Sequence, residues 1–142
     1  MSLEQIHAAI PHRAPFLLLD EIISCEDRHI VCRKTFAGDE FWFQGHYPGY
    51  PLMPGVLLCE AAMQAAAVLL SQHITDSNGK VPVATRLKDV RFRKMVRPGD
   101  TIDIEVELKD VVSGAFFLHG RVTVGDQLAV RCEFACMMAS PQ

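Results

Sequence analysis

Val56-Leu57-Leu58-Cys59-Glu60-Ala61-Ala62-Met63-Gln64-Ala65-Ala66-Ala67-Val68-Leu69-Leu70 is the stretch on which the fold turns. Alanine, leucine, methionine, glutamate and glutamine are the strongest helix formers, so this composition predicts a helix from Val56 to about His73. Its only polar side chains before Ser71 are Glu60 and Gln64. Apolar residues lie all round it, and such a helix must be covered on every side. A membrane span wants about 20 residues with few or no charges. This shorter run carries a carboxylate and reads as the buried helix of a soluble protein.

The segments on either side supply the cover. Upstream, Leu3, Ile6 and Ile10 fall at helical spacing, and Pro11 ends that short amphipathic helix. Pro15 opens the apolar run Phe16-Leu17-Leu18-Leu19, which reads as a first strand continuing through Asp20 and Glu21 into Ile22-Ile23. His29 to Phe36 reads as a second strand, with Glu26-Asp27-Arg28 as the turn. Downstream, Asp76-Ser77-Asn78-Gly79 closes the helical segment and Val81 to Phe92 reads as a strand. Thr101 to Leu108 alternates strictly between polar and apolar residues, the mark of a half-buried antiparallel strand. Turns at Ser113-Gly114 and Gly125-Asp126 separate Ala115 to Val124 from Gln127 to Met138, so this part is a meander of hairpins. One long helix among five or six antiparallel strands defines an α+β class, an antiparallel β-sheet wrapped around one long central helix. Residues 1–142 form a single domain, the size expected for 142 residues. One such sheet cannot cover all sides of the helix, so a second subunit is expected to complete the cover.

Composition agrees with a packed core and narrows the function. The chain is 49% hydrophobic and 22% charged, which excludes disorder. Mean hydropathy is +0.14, high for a small soluble monomer and consistent with apolar surface between subunits. With a net charge of −3 there is no global basic field, so no nucleic-acid partner is expected. No basic segment followed by an apolar run opens the chain, so no secretory signal and a cytoplasmic location are expected. The five cysteines lack a C-x-x-C pair and read as small hydrophobes of a reducing compartment. A zinc site needs four ligands at tighter, paired spacings, so no metal is expected.

Chemistry concentrates just before the long helix. Gly45-His46-Tyr47-Pro48-Gly49-Tyr50-Pro51-Leu52-Met53-Pro54-Gly55 holds too many prolines and glycines for a helix or central strand. Each proline fixes its own φ and restricts the residue before it, so the loop is stiff. Within it His46 is a candidate general base, although a histidine taken alone is more often a packing or surface residue. Pro54-Gly55 starts the helix, where the first N–H groups lack intrahelical partners and the dipole is positive. Such an end suits a carbonyl gaining negative charge. Glu60 and Gln64 lie one turn apart on one face. The helix alone fits two readings of Glu60 equally: a general acid facing an apolar cleft, or a structural carboxylate held by Gln64 or loop N–H groups. Base, polarising helix end and carboxylic acid together suit proton abstraction beside a carbonyl with loss of a β-leaving group.

This segment, from Gly45 to Val56 with Glu60-Ala61 and Gln64-Ala65, resembles the signature of the β-hydroxyacyl-(acyl carrier protein) dehydratases of the FabZ type. So do Ile10-Pro11-His12-Arg13-Ala14-Pro15-Phe16-Leu17-Leu18-Leu19-Asp20, and Arg91-Phe92-Arg93-Lys94 followed by Pro98-Gly99-Asp100. The resemblance spans nearly the whole chain. It implies a hotdog fold and a homodimer whose sheets join edge to edge, three such dimers often forming a hexamer. It also implies active sites across the dimer interface, with His46 of one subunit facing Glu60 of the other.

The implied reaction converts a 3-hydroxyacyl thioester into the trans-2-enoyl thioester and water without a cofactor. His46 takes the C2 proton, Glu60 protonates or positions the departing hydroxyl, Gln64 orients Glu60, and the N–H groups of Gly55 and Val56 polarise the carbonyl. Two departures stand out: Tyr47 where phenylalanine is usual, and Met95 where proline is frequent. A sister group that also isomerises the double bond resembles this loop but carries aspartate at the position of Glu60. Glu60 therefore favours plain dehydration. The competing readings are an isomerising dehydratase, a hotdog thioesterase, and a non-catalytic subunit that binds acyl carriers.

Charge is uneven. Arg86, Lys88, Arg91, Arg93, Lys94 and Arg97 face a single acid, Asp89, so this window is +5 while the rest of the chain is −8. A solvated strand with ion pairs is the ordinary account of such a run. With the resemblance, Arg91, Arg93, Lys94 and Arg97 become candidates for docking an acidic acyl carrier protein bearing a 3-hydroxyacyl phosphopantetheine thioester.

Overall fold

A computed structural model describes residues 3–74 and 79–140. The elements run α1 (Leu3–Ala9), β1 (Glu21–Cys25), β2 (His29–Thr35), α2 (Trp42–Gly45), α3 (Gly55–Leu70) with a 3-10 turn at Ser71–His73, β3 (Val81–Phe92), β4 (Thr101–Val112), β5 (Ala115–Val124) and β6 (Gln127–Ala139). The expected turn residues Asp76, Ser77 and Asn78 lie outside the described residues. All six strands form one antiparallel sheet in the order β1-β2-β4-β5-β6-β3.

The sheet curves round α3, which buries Leu58, Cys59, Ala61, Ala62 and the run Gln64–Leu70. Opposing them are the inward residues of the strands, among them Ile30, Cys32, Ile102, Ile104, Val106, Leu118, Cys132 and Phe134. Alanines let the helix lie close to the sheet. At the tightest point a Cβ on Gly120 would stand 2.9 Å from the Ala62 methyl, so β5 carries glycine there. Cys132 and Cys136 share the inward face of β6, as their spacing implies, and all five cysteines are free.

The expected first strand needs correction. The sheet begins at Glu21, and the run Phe16–Leu19 is not strand, although Leu17, Leu18 and Leu19 are buried. The reason is a side chain: Gln64 takes the Leu18 N–H on its Oε1 (2.7 Å) and donates from Nε2 to the Phe16 carbonyl (3.0 Å). These backbone groups are satisfied by the helix, so they need no neighbouring strand. Apolar burial alone cannot distinguish the two cases.

Of the sheet's two edge strands, β1 and β3, the longer is β3. It is twelve residues long, pairs only with β6 in this chain, and leaves Val83, Leu87 and Phe92 exposed. A long edge strand with apolar side chains offers a row of unpaired N–H and C=O groups to another strand.

Candidate active site

The proline- and glycine-rich loop is anchored at both ends. At its start the one-turn helix α2 buries Trp42 and Phe43 edge-on against Phe36, with ring centroids 6.3 and 6.0 Å apart. At its end Met53 is buried and its N–H bonds to the Val96 carbonyl at 2.7 Å. Arg97 closes the span between them: its guanidinium donates to the Tyr50 hydroxyl and lies over the Tyr50 ring, 4.8 Å from the centroid.

His46 is half-buried in this loop. Its Nδ1 is 2.8 Å from the Leu52 carbonyl, which accepts and so places the proton on Nδ1. In the neutral imidazole this tautomer leaves Nε2 as the acceptor, the form a base requires. Tyr47 packs edge-on against the imidazole at 4.7 Å and holds a positive φ of 61°, a conformation a non-glycine residue rarely takes. The ring faces a cavity of about 530 Å³ walled by residues of the loop, the start of α3 and the chain just after β3. Gly55 and Val56 lie in that wall, and their N–H groups take no part in the loop's backbone hydrogen bonds. Pro54 caps the helix without a side-chain bond. The Phe92 ring lies so close to Gly55 that a Cβ there would stand 2.5 Å from it.

Glu60 lines a different cavity of about 230 Å³, bounded by α3, His12, Cys136 and Pro82–Ala84 of β3. Its Oε2 accepts from Gln64 Nε2 at 3.1 Å, so the orienting contact expected of Gln64 is present. His12 Nε2 approaches the same oxygen at 3.8 Å, while its own Nδ1 is buried without a hydrogen bond. Both contacts fall on Oε2. His12 stands in the quoted N-terminal motif, but a contact across so many residues has no signature in local pattern. Within one chain, His46 and Glu60 do not share a cavity.

The basic stretch divides. Arg93 and Lys94 line the cavity at His46. Their backbone N–H groups both bond to the Ala129 carbonyl, at 2.7 and 3.3 Å, which turns the chain away from β3. Arg91 stands on the outer face of the sheet, in register with Arg131, which is in turn opposite Arg121. Arg97 is engaged with Tyr50, as described.

The sheet wrapped round a single helix is a hotdog fold, and solved structures share it. The Dehydratase Heterocomplex ApeI:P from Xenorhabdus doucetiae superposes with a TM-score of 0.80 at 19% identity, covering 96% of this chain and 91% of that one. The E. coli PaaI protein from the phenylacetic acid degradation operon gives a TM-score of 0.67 at 15% identity, over 82% and 81%. Residues 10–133 match the model of the FabA-like domain. Proteins named 3-hydroxyacyl-[acyl-carrier-protein] dehydratase FabZ are similar over nearly the full length. The one from Chloroflexus aggregans is 40% identical over 99% of this chain and 98% of its own. That from Caulobacter vibrioides is 43% identical over 97% and 88%. The chain belongs to the FabA-like family, among its FabZ-type dehydratases.

Proposed function

We propose that the chain dehydrates (3R)-3-hydroxyacyl thioesters carried on an acyl carrier protein to trans-2-enoyl thioesters, in the cytoplasm, as a step of fatty acid biosynthesis. The observation that carries this reading is the arrangement at the start of α3. His46, with Nδ1 bonded to Leu52, shares one cavity with the unpaired N–H groups of Gly55 and Val56.

The thioester carbonyl accepts those N–H groups, whose donors and positive helix end favour the developing enolate oxygen. His46 Nε2 removes the C2 proton. The electron pair then forms the C2–C3 double bond as the C3–O bond breaks, and Glu60 delivers a proton to the departing hydroxyl, which leaves as water. Acid and base steps contribute about 10²–10⁴-fold each, and an oxyanion donor about 10²–10³-fold.

Completing the site takes two copies. Pairing β3 with β3 of a second chain extends the sheet, covers Val83 and Leu87, and closes the Glu60 cavity that β3 itself borders. By likeness to the family, His46 of one copy then faces Glu60 of the other. The carrier docks at the mouth of the His46 cavity, where Arg93 and Lys94 meet its acidic surface.

The test is incubation with 3-hydroxyacyl and trans-2-enoyl carrier thioesters, followed by mass spectrometry for loss or gain of one water. Interconversion by the wild type, absent in His46→Ala and Glu60→Gln, is expected. Release of the free acid instead overturns dehydration in favour of thioester hydrolysis.

A further inference from the structure

The outer face of the sheet, turned away from α3, carries a row of arginines that the reaction leaves unused. Arg121 on β5 is in register with Arg131 on β6, and Arg131 with Arg91 on β3, so the three stand side by side on neighbouring strands. A bulge puts the third one there. Lys88 pairs with Glu133, and the register then shifts beside Asp89, whose φ is 52°. Without that shift Val90 would stand opposite Arg131; with it Arg91 does. Like charges directly opposite each other destabilise a sheet. Arg121 and Arg131 line an open cavity of about 390 Å³. The carboxylates of that cavity are engaged elsewhere: Glu105 with His29 at 2.9 Å, Glu107 with Lys109 at 3.1 Å and Glu133 with His119 at 3.2 Å. None of the three arginines makes an ion pair or side-chain hydrogen bond among the described residues, whereas Arg33 on the same face holds Asp103 at 2.7 Å.

We propose that this row binds a small diphosphate-bearing ligand, whose two phosphoryl groups are shared by Arg121, Arg131 and Arg91. The ligand class follows from charge and reach. A guanidinium grips a phosphoryl group through two parallel N–H donors, and an anion bridging neighbouring arginines cancels the repulsion between them. Adjacent strands lie about 4.8 Å apart, so the row extends roughly 10 Å from its first arginine to its third, farther than one phosphoryl group reaches. Glu105 and Glu107 stand on β4, at the opposite end from Arg91, and their charge keeps the ligand over β5, β6 and β3. The sheet separates this site from the helix and from the cavities of His46 and Glu60.

The experiment is calorimetric titration of the full chain at low salt with pyrophosphate, with a nucleoside diphosphate and with inorganic phosphate. Pyrophosphate should bind more tightly than phosphate, and added salt should weaken it. Arg121→Gln and Arg131→Gln should each lower the affinity for pyrophosphate about tenfold, the scale of a hydrogen bond to a charged group, while Arg33→Gln stays within about twofold. The nucleoside diphosphate shows whether the diphosphate is read free or as an ester, and its binding must be lost in the same two variants. Each of those substitutions removes a like-charge contact from an exposed face, so without ligand the melting temperature should hold or rise, which separates lost binding from lost folding. No binding by the wild type, equal affinity for phosphate and pyrophosphate, or undiminished binding by the two variants overturns the site. So does a salt-dependent loss of turnover of carrier-bound substrate in Arg131→Gln with pyrophosphate binding unchanged, which would assign the row to the carrier protein.

Discussion

Gln64 Nε2 donates to Glu60 Oε2 at 3.1 Å, and the same amide group holds the backbone of Phe16 and Leu18. It is the one polar side chain fully buried among the described residues. A single amide thus fixes the carboxylate and ties the chain before β1 to α3.

Gln64→Leu strips the Phe16 carbonyl and Leu18 N–H of their partners at a cost of roughly 1–3 kcal/mol for each buried group. It also frees the Glu60 carboxylate. The expected outcome is a lowered melting temperature together with a fall in kcat, while KM for the thioester stays within about twofold. A variant that loses stability alone would make Gln64 a structural residue only.

Gly55→Ala tests the packing at the helix start. The added methyl meets the Phe92 ring at 2.5 Å, and that exposed ring must swing into the cavity it shares with His46. Because the ring can move, the melting temperature should change little. Displacement of the groups around the thioester should lower kcat/KM about tenfold or more. The double variant Gly55→Ala/Phe92→Ala should recover part of that loss, which steady-state kinetics will show.

Charge reversal separates the two faces of the basic stretch. Arg93→Glu and Lys94→Glu, at the cavity mouth, should weaken turnover of carrier-bound substrate at low salt, with the deficit shrinking as salt screens it. A small thioester mimic should be turned over as by the wild type. Arg91→Glu, on the outer face beside Arg131, should have the smaller effect.

The cysteines should differ sharply towards an alkylating reagent. Burial pushes the thiol of Cys32 up to about 12 and that of Cys136 up to about 11. Cys132 is raised by its hydrogen bond with Cys59 and by burial; the same bond lowers Cys59, which is kept from the reagent by being buried. Only the thiolate reacts, and a raised value keeps the thiol protonated at neutral pH. Cys25 is the one cysteine that is not buried, and burial raises its thiol too, against a hydrogen bond from Gln72. Peptide mapping after iodoacetamide should find Cys25 modified first and faster with rising pH, the other four only after unfolding.

Much of this was legible in the residues because the informative features are local. Helix formers from Val56 onward, the alternation from Thr101 and the prolines around His46 each fix conformation within a few positions. Strand β1 was misread because the Phe16 carbonyl and Leu18 N–H are satisfied by Gln64, more than forty residues away. The one-turn helix α2 was not anticipated, since its stability comes from Trp42 and Phe43 packing on Phe36 rather than from its own length. The basic stretch could not be resolved into two faces without the register of β3 on β6, which shifts between Lys88 and Arg91 beside the positive φ of Asp89. His12 beside Glu60 and Arg97 on Tyr50 are tertiary contacts that no spacing announces.

The central claim is that the base and acid of one site come from different copies of the chain, and subunit complementation tests it most directly. His46→Ala and Glu60→Gln, each inactive alone, are mixed, allowed to exchange subunits and assayed on a 3-hydroxyacyl carrier thioester. With sites shared across a two-fold interface, each mixed dimer regains one intact site, and equal mixing restores about a quarter of wild-type activity. A mixture that exchanges subunits yet stays inactive would place both groups of each site within a single chain and contradict the account.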